Sequence, residues 1–162
     1  MARRRDKKEQ RRKKKREKIV IGTTDFIDIP DAGLYDLPCK IDTGAETSSI
    51  HCARIRMREI NGEDVLCFWL LDKKHPHYNR KEMRTGEFVE KKIRSSFGDY
   101  EFRYQVKLDI LVMGKKFKAS FTLSNREHMK FPVLLGKRFL KNKFIVDVSR
   151  KDISKEIVDF SN

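Results

Sequence analysis

The sequence predicts a mainly β domain, a small closed barrel of short strands with one short helix near its end. Three observations carry that expectation. Apolar residues recur at every second position in several short runs, the period of a half-buried strand. Asn61-Gly62 stands between two such runs, the strongest two-residue hairpin signal. Only one stretch, Gly136 to Lys141, looks able to start a helix, and it comes late.

The elements follow in order. Lys18 to Thr23 is rich in β-branched residues and ends at Gly22, and Asp25 to Pro30 alternates until the proline stops it. Leu37 to Ile41 is a short strand that runs into Asp42-Thr43-Gly44. Ile50 to Ile60 and Glu63 to Leu71 flank the hairpin turn. Residues 72–99 are polar and read as a long connection. Tyr100 to Val112 alternates, with Phe102, Tyr104, Val106, Leu108 and Ile110 on one face. After a turn at Met113-Gly114-Lys115, Phe117, Ala119, Phe121 and Leu123 alternate again. Phe131 to Leu135 is a continuous apolar run, as in a buried strand, and Phe144 to Val148 is the last strand. Regularly spaced short strands of this kind suit a small barrel.

Charge divides the chain. The net charge is +14 over 162 residues. Residues 1–17 and Lys18 hold twelve basic side chains against Asp6, Glu9 and Glu17, a net of +9, so the other 144 residues carry only +5. We read 1–17 as a basic tail without packed structure and 18–162 as one domain. A tail of this density, from Arg3 to Lys18, attracts polyanions with strong salt dependence, but it lacks the aromatic residues that read single-stranded RNA. Cys39, Cys52 and Cys67 are an odd number without framework spacing, which reads as reduced thiols in the cytoplasm. No apolar run is long enough to span a bilayer.

Asp42-Thr43-Gly44 alone is weak evidence, because Asp and Gly are ordinary turn residues. Its context is stronger. A strand delivers Asp42, and the small residues Gly44, Ala45, Thr47, Ser48 and Ser49 follow it. Gly44 lets backbone N–H groups approach the carboxylate, and Thr43 offers a hydroxyl to a neighbouring loop. Asp42-Thr43-Gly44-Ala45 resembles the active-site loop of retropepsins, the single-lobe acid proteases. Val133-Leu134-Leu135-Gly136-Lys137-Arg138-Phe139-Leu140 is similar to the second signature of that fold. The closer resemblance is to bacterial proteins described as ATP-dependent zinc proteases, often encoded near ATP-grasp peptide ligases. It runs from Lys40-Ile41-Asp42-Thr43-Gly44-Ala45 to His51, then through Arg94 to Gly98, Phe121 to Arg126, Met129, Phe131 to Gly136 and Val146 to Arg150. It covers roughly residues 18–151. Glu46 stands where many relatives have Arg, and Lys137 where retropepsins usually have Arg.

The resemblance implies a retropepsin-like barrel and an aspartic endopeptidase. Such an enzyme needs two carboxylates sharing one proton. With one Asp-Thr-Gly, it must be a homodimer that supplies Asp42 twice. Asp42, Thr43 and Gly44 are then the catalytic residues. Ala45, Glu46, Gly98, Leu135 and Gly136 would bind substrate, and His51, Lys137 and Arg138 would support the site from behind. A flap is expected within residues 85–100, tipped by Gly86 or Gly98. The link to peptide ligases implies an acidic or ligase-modified peptide substrate.

Asp147 reads as a strand-end polar partner rather than a second acid. No metal site and no cofactor are expected. His51-Cys52, His75-Pro76-His77, Cys67 and His128 form no ligand motif, and there is no phosphate-binding glycine loop ending in Lys-Ser/Thr. Two other roles remain open: an inactive peptide-binding module of the same fold, and a polyanion- or RNA-associated protein that acts through its tail.

Overall fold

The computed structural model describes residues 17–94 and 97–159. The basic tail, Glu17 and Lys18 excepted, lies outside the described residues. Eleven strands are present among them: β1 (Ile19–Ile21), β2 (Thr24–Ile29), β3 (Leu34–Ile41), β4 (Ser48–Ile60), β5 (Glu63–Leu70), β6 (Met83–Thr85), β7 (Phe88–Arg94), β8 (Tyr100–Val112), β9 (Lys115–Ser124), β10 (Val133–Leu135) and β11 (Phe144–Val146). Two α-helices, α1 (Lys137–Leu140) and α2 (Ile153–Asp159), and a 3-10 turn at Pro30–Ala32 complete the chain.

Nine strands form one sheet, and six of them pair in a ring. The order β10-β3-β2-β8-β9-β4 returns to its start because β4 also pairs with β10. Three-residue β10 is the closing piece. It runs parallel to β3 (Leu135 opposite Ile41) and antiparallel to β4 (Val133 opposite Ile50). Its residues meet a strand on each side, which explains the continuous apolar run there. Val133 and Leu135 are fully buried. The core inside the ring includes Ile27, Leu37, Cys39, Ile50, Ile110, Phe121 and Leu135 in one cluster.

Both predicted hairpin turns form. Asn61 and Gly62 each have positive φ, 53° and 80°, between the paired Ile60 and Glu63. Met113 and Gly114 repeat this between Val112 and Lys115. Two positive-φ residues match the twist of the flanking strands.

The structure corrects the sequence reading in three places. Residues 72–99 are not one connection, since they hold β6 and β7. β7 pairs with β8 along its whole length, from Phe88–Val106 to Arg94–Tyr100. The β8 pattern continues past the core: Val106, Leu108, Ile110 and Val112 are buried, but Tyr100 and Phe102 are exposed on a ribbon that β9 does not reach. Lastly, a second helix, α2, follows the last strand at Phe144–Val146. Ile153 of α2 is buried, and the neighbouring Ser154 donates both its N–H and its hydroxyl to the buried carboxylate of Asp25.

Helix α1 is only one turn long, too short to persist without tertiary contacts. A ring triad holds it: Phe139 of α1 packs on Phe117 of β9 and Phe144 of β11, with all centroid separations between 5.5 and 5.6 Å. β11 pairs in parallel with β1 as a separate two-stranded sheet.

Candidate active site

Asp42 follows directly on β3, where that strand leaves the ring. Its backbone N–H donates to the Leu135 carbonyl at 2.9 Å, which continues the β3–β10 pairing by one residue. The chain then turns back on itself. Gly44 and Ala45 point their N–H groups at Asp42 Oδ1, at 2.9 and 3.2 Å. No hydrogen bond reaches Oδ2 from the described residues. The side chain is half-buried, with one oxygen gripped and the other open.

The loop is clamped to the Gly136 segment. Lys137 and Arg138 donate their N–H groups to the carbonyls of Ala45 and Glu46, at 2.8 and 3.1 Å. Those donors are the unsatisfied first-turn N–H groups of α1, so loop and helix end satisfy each other. Gly136 N–H donates to the buried Ser48 hydroxyl at 3.0 Å. A Cβ on Gly136 would lie 2.7 Å from the Thr47 carbonyl carbon and oxygen and 2.9 Å from the Ala45 oxygen. Gly136 is therefore required by space. Its φ of −98° is one that any residue adopts.

The other expected site residues fall as follows. Thr43 is exposed and lines a groove of about 550 Å³ with Glu46, Lys137, Leu140, Phe144 and Val146. Glu46 lies between the cations of α1, 3.6 Å from Lys137 Nζ and 3.4 Å from Arg138 Nε. The Leu135 side chain is wholly inside the core, so it reaches the loop only through its carbonyl. Gly98 has φ +86° and sits in the turn between β7 and β8, while Gly86 precedes β7.

His51 supports the region without bonding to Asp42. It is 3% exposed. Its Nδ1 accepts the Arg126 backbone N–H at 2.8 Å, so the ring proton resides on Nε2, which donates to Asp72 Oδ2 at 2.6 Å. The Arg126 guanidinium then donates to the Phe131 carbonyl and the Ser49 hydroxyl, both at 3.1 Å. Burial and nearby Arg103 pull Arg126 below its ordinary pKa, while the Asp42 carboxylate opposes them. Arg126 is thus a half-buried cation within electrostatic reach of Asp42. Ser48, Asp72 and Arg126 were not foreseen as site residues. The sequence signals were the pair Ser48-Ser49 at the head of β4 and the place of Arg126 at the end of the Phe121 to Arg126 stretch of the resemblance.

The hydrogen bond from His51, then the N–H of Lys74, holds the Asp72 carboxyl below the usual range. A depressed folded-state pKa stabilises the fold above the unfolded value near 4, and that stability is lost as pH falls through the folded value. Asp72→Asn protein will therefore melt below wild type at neutral pH. The gap will narrow as pH drops below about 4. Thermal melts across that range check this, and a constant gap would remove Asp72 from the acid response.

The remaining candidates do other work. The Asp147 carboxylate accepts from the Ser149 N–H at 2.9 Å and its hydroxyl at 2.6 Å, closing a turn after β11. His75 Nδ1 accepts the His77 N–H. Among the described residues no group of three or more His, Cys, Asp or Glu is placed to hold a metal ion. All three cysteines are free and buried, and burial pushes the Cys52 thiol up to about 11. No helix among the described residues is long and apolar enough to cross a membrane.

The chain is 32% identical over 136 residues to a probable alpha-L-glutamate ligase of Shewanella halifaxensis, covering 82% of this chain and 29% of that protein. It is 30% identical over 149 residues to a probable alpha-L-glutamate ligase of Desulfotalea psychrophila, covering 86% of this chain and 31% of the relative. It therefore spans less than a third of these curated relatives. The crystal structure of Lpg0085 from Legionella pneumophila, a protein of unknown function, superposes with a TM-score of 0.69. That match has 24% identity and covers 85% of this chain and 99% of the other. The family model for the retropepsin-like aspartic endopeptidase RimB matches residues 20–156, which include the Asp42 loop and the Gly136 clamp. The chain belongs to the RimB-like family of retropepsin-like aspartic endopeptidases.

Proposed function

We propose that this protein is an aspartic endopeptidase that works as a homodimer on acidic peptides, with the six-stranded ring as the closed barrel of each lobe. The observation that carries this reading is the hold on Asp42: one carboxylate oxygen fixed by two backbone N–H groups, the other free. Two such groups facing each other across a two-fold axis would share a proton. The ionised partner takes a proton from water, and the protonated one polarises the scissile carbonyl. Thr43, exposed in the same loop, would bond its counterpart across that axis. The β7–β8 ribbon, turning at Gly98, is the candidate flap.

Two features support a dimer. A two-stranded sheet is marginal alone, and β1–β11 exposes Val20 and Ile145 side by side, with Val148 beyond them. An acidic substrate agrees with Arg126 near Asp42, with the cations of α1, and with relatives named as glutamate ligases. Glu46 offsets Lys137 and Arg138, so Glu46→Gln will lower KM for an acidic peptide roughly twofold to fivefold and leave a neutral peptide unchanged. An unchanged ratio would separate Glu46 from substrate charge.

The decisive test pairs sedimentation with cleavage of glutamate-rich peptides by wild-type and Asp42→Asn protein. A strict monomer even with peptide present, or full cleavage by the variant, rejects the mechanism. Peptide binding with no cleavage by wild type would favour the binding-module role.

A further inference from the structure

Outside the ring, β4 continues past its ring partners and pairs with β5, which pairs with β6. One face of this three-stranded extension carries Ile55, Leu66, Phe68 and Met83, buried or partly buried against the core. The other carries Arg54, Arg56 and Arg58 at alternate positions of β4, with Arg84 of β6 in line across Cys67 from Arg56. The Arg54 guanidinium lies 4.2 Å from the centre of the Trp69 ring. Glu82 is the one acid in the row, contacting Arg58 at 3.4 Å and Arg84 at 3.2 Å. Arg56 is exposed and makes no ion pair among the described residues.

At the Arg54 end the row opens into a groove of about 360 Å³ whose lining mixes Lys73 and Lys74 with Asp72 and Glu127, the last paired to Lys74 at 3.0 Å. Lys74 lines a second cavity as well, which includes Arg126.

We infer that this arginine face is an exosite for an extended acidic polypeptide. Same-face residues on a strand are spaced about 6.6–6.8 Å apart, and so are alternate side chains of an extended ligand. A peptide with acids at every second position would meet Arg54, Arg56 and Arg58 in register. Guanidinium forks match carboxylates in two-point contacts. A single-stranded nucleic acid has a comparable charge repeat, but it binds by stacking bases on aromatic rings. The only aromatic ring in the row, Trp69, is 8% exposed and covered by Arg54. This face extends the acidic-substrate reading, and its test is a binding measurement that does not depend on cleavage.

The probe is a fluorescent decaglutamate peptide, titrated into full-length Asp42→Asn protein with and without Arg54→Gln, Arg56→Gln and Arg58→Gln together. The triple substitution will weaken binding about tenfold and flatten its salt dependence. Arg56→Glu alone, at an exposed position without an ion pair among the described residues, will also weaken binding and leaves the fold untouched. Unchanged affinity in both variants overturns the exosite, as does a loss seen with oligouridine but not with decaglutamate. In an otherwise wild-type chain, the triple variant will cleave a short peptide as before. If the binding loss appears while Asp42→Asn still cleaves, the exosite stands and the peptidase mechanism falls. The reverse pattern removes only the exosite.

Discussion

Asp42→Asn protein mixed with an equal amount of wild type will leave about half the activity that the same wild-type chains give alone. Random pairing puts about half of those chains into mixed dimers. A mixed dimer has one carboxylate and one amide. Its one carboxylate can still ionise, but no protonated carboxyl faces it to polarise the scissile carbonyl, so it is as inactive as the pure variant. That pure variant will lose about 10²–10⁴-fold in cleavage rate, the range for removing a positioned acid–base group. Asn keeps the side-chain oxygen that Gly44 and Ala45 hold, so the fold will be spared. If activity per wild-type chain is unchanged by mixing, after the two proteins have been unfolded and refolded together, each chain acts alone and the shared dyad is wrong.

Gly136→Ala will destabilise the domain by about 3 kcal/mol, the upper part of the usual range for overpacking. The added methyl meets only backbone, at Thr47 and Ala45, so no side chain can swing away. The loop must move, and with it the bonds that join Ala45 to Lys137 and Ser48 to Gly136. At this chain length the loss lowers Tm by about 6–12 °C. Gly86→Ala is the control, because a Cβ there meets nothing within 4 Å. Equal melting of the two variants would show that the clamp is not tight.

Much of this was legible in the sequence, for identifiable reasons. Asn61-Gly62 declares its turn because few other residues adopt positive φ cheaply, and Gly114 marks the second one. The Asp42 loop and the Gly136 strand were recognisable because each is a short local pattern. Strand β7 was hidden because much of it is solvated, so Lys91, Lys92 and Arg94 showed no apolar alternation. Helix α2 was missed because it is brief and is anchored by Asp25, more than 120 residues earlier. The His51–Asp72 pair and the approach of Arg126 to Asp42 join residues distant in sequence, and no local spacing encodes them.

The three residues of β10 carry a consequence for the order of events during synthesis. The ring stays open until Val133–Leu135 slot between β3 and β4, strands that left the ribosome about 90 residues earlier. Until Gly136 and α1 follow, the carbonyls of Ala45 and Glu46 have no partners and the Asp42 loop has nothing to rest on. Such long-range closure makes folding slow. It also means that a nascent chain stalled before residue 136 would present an unformed site, so the architecture itself delays activity until the Gly136 segment has been made.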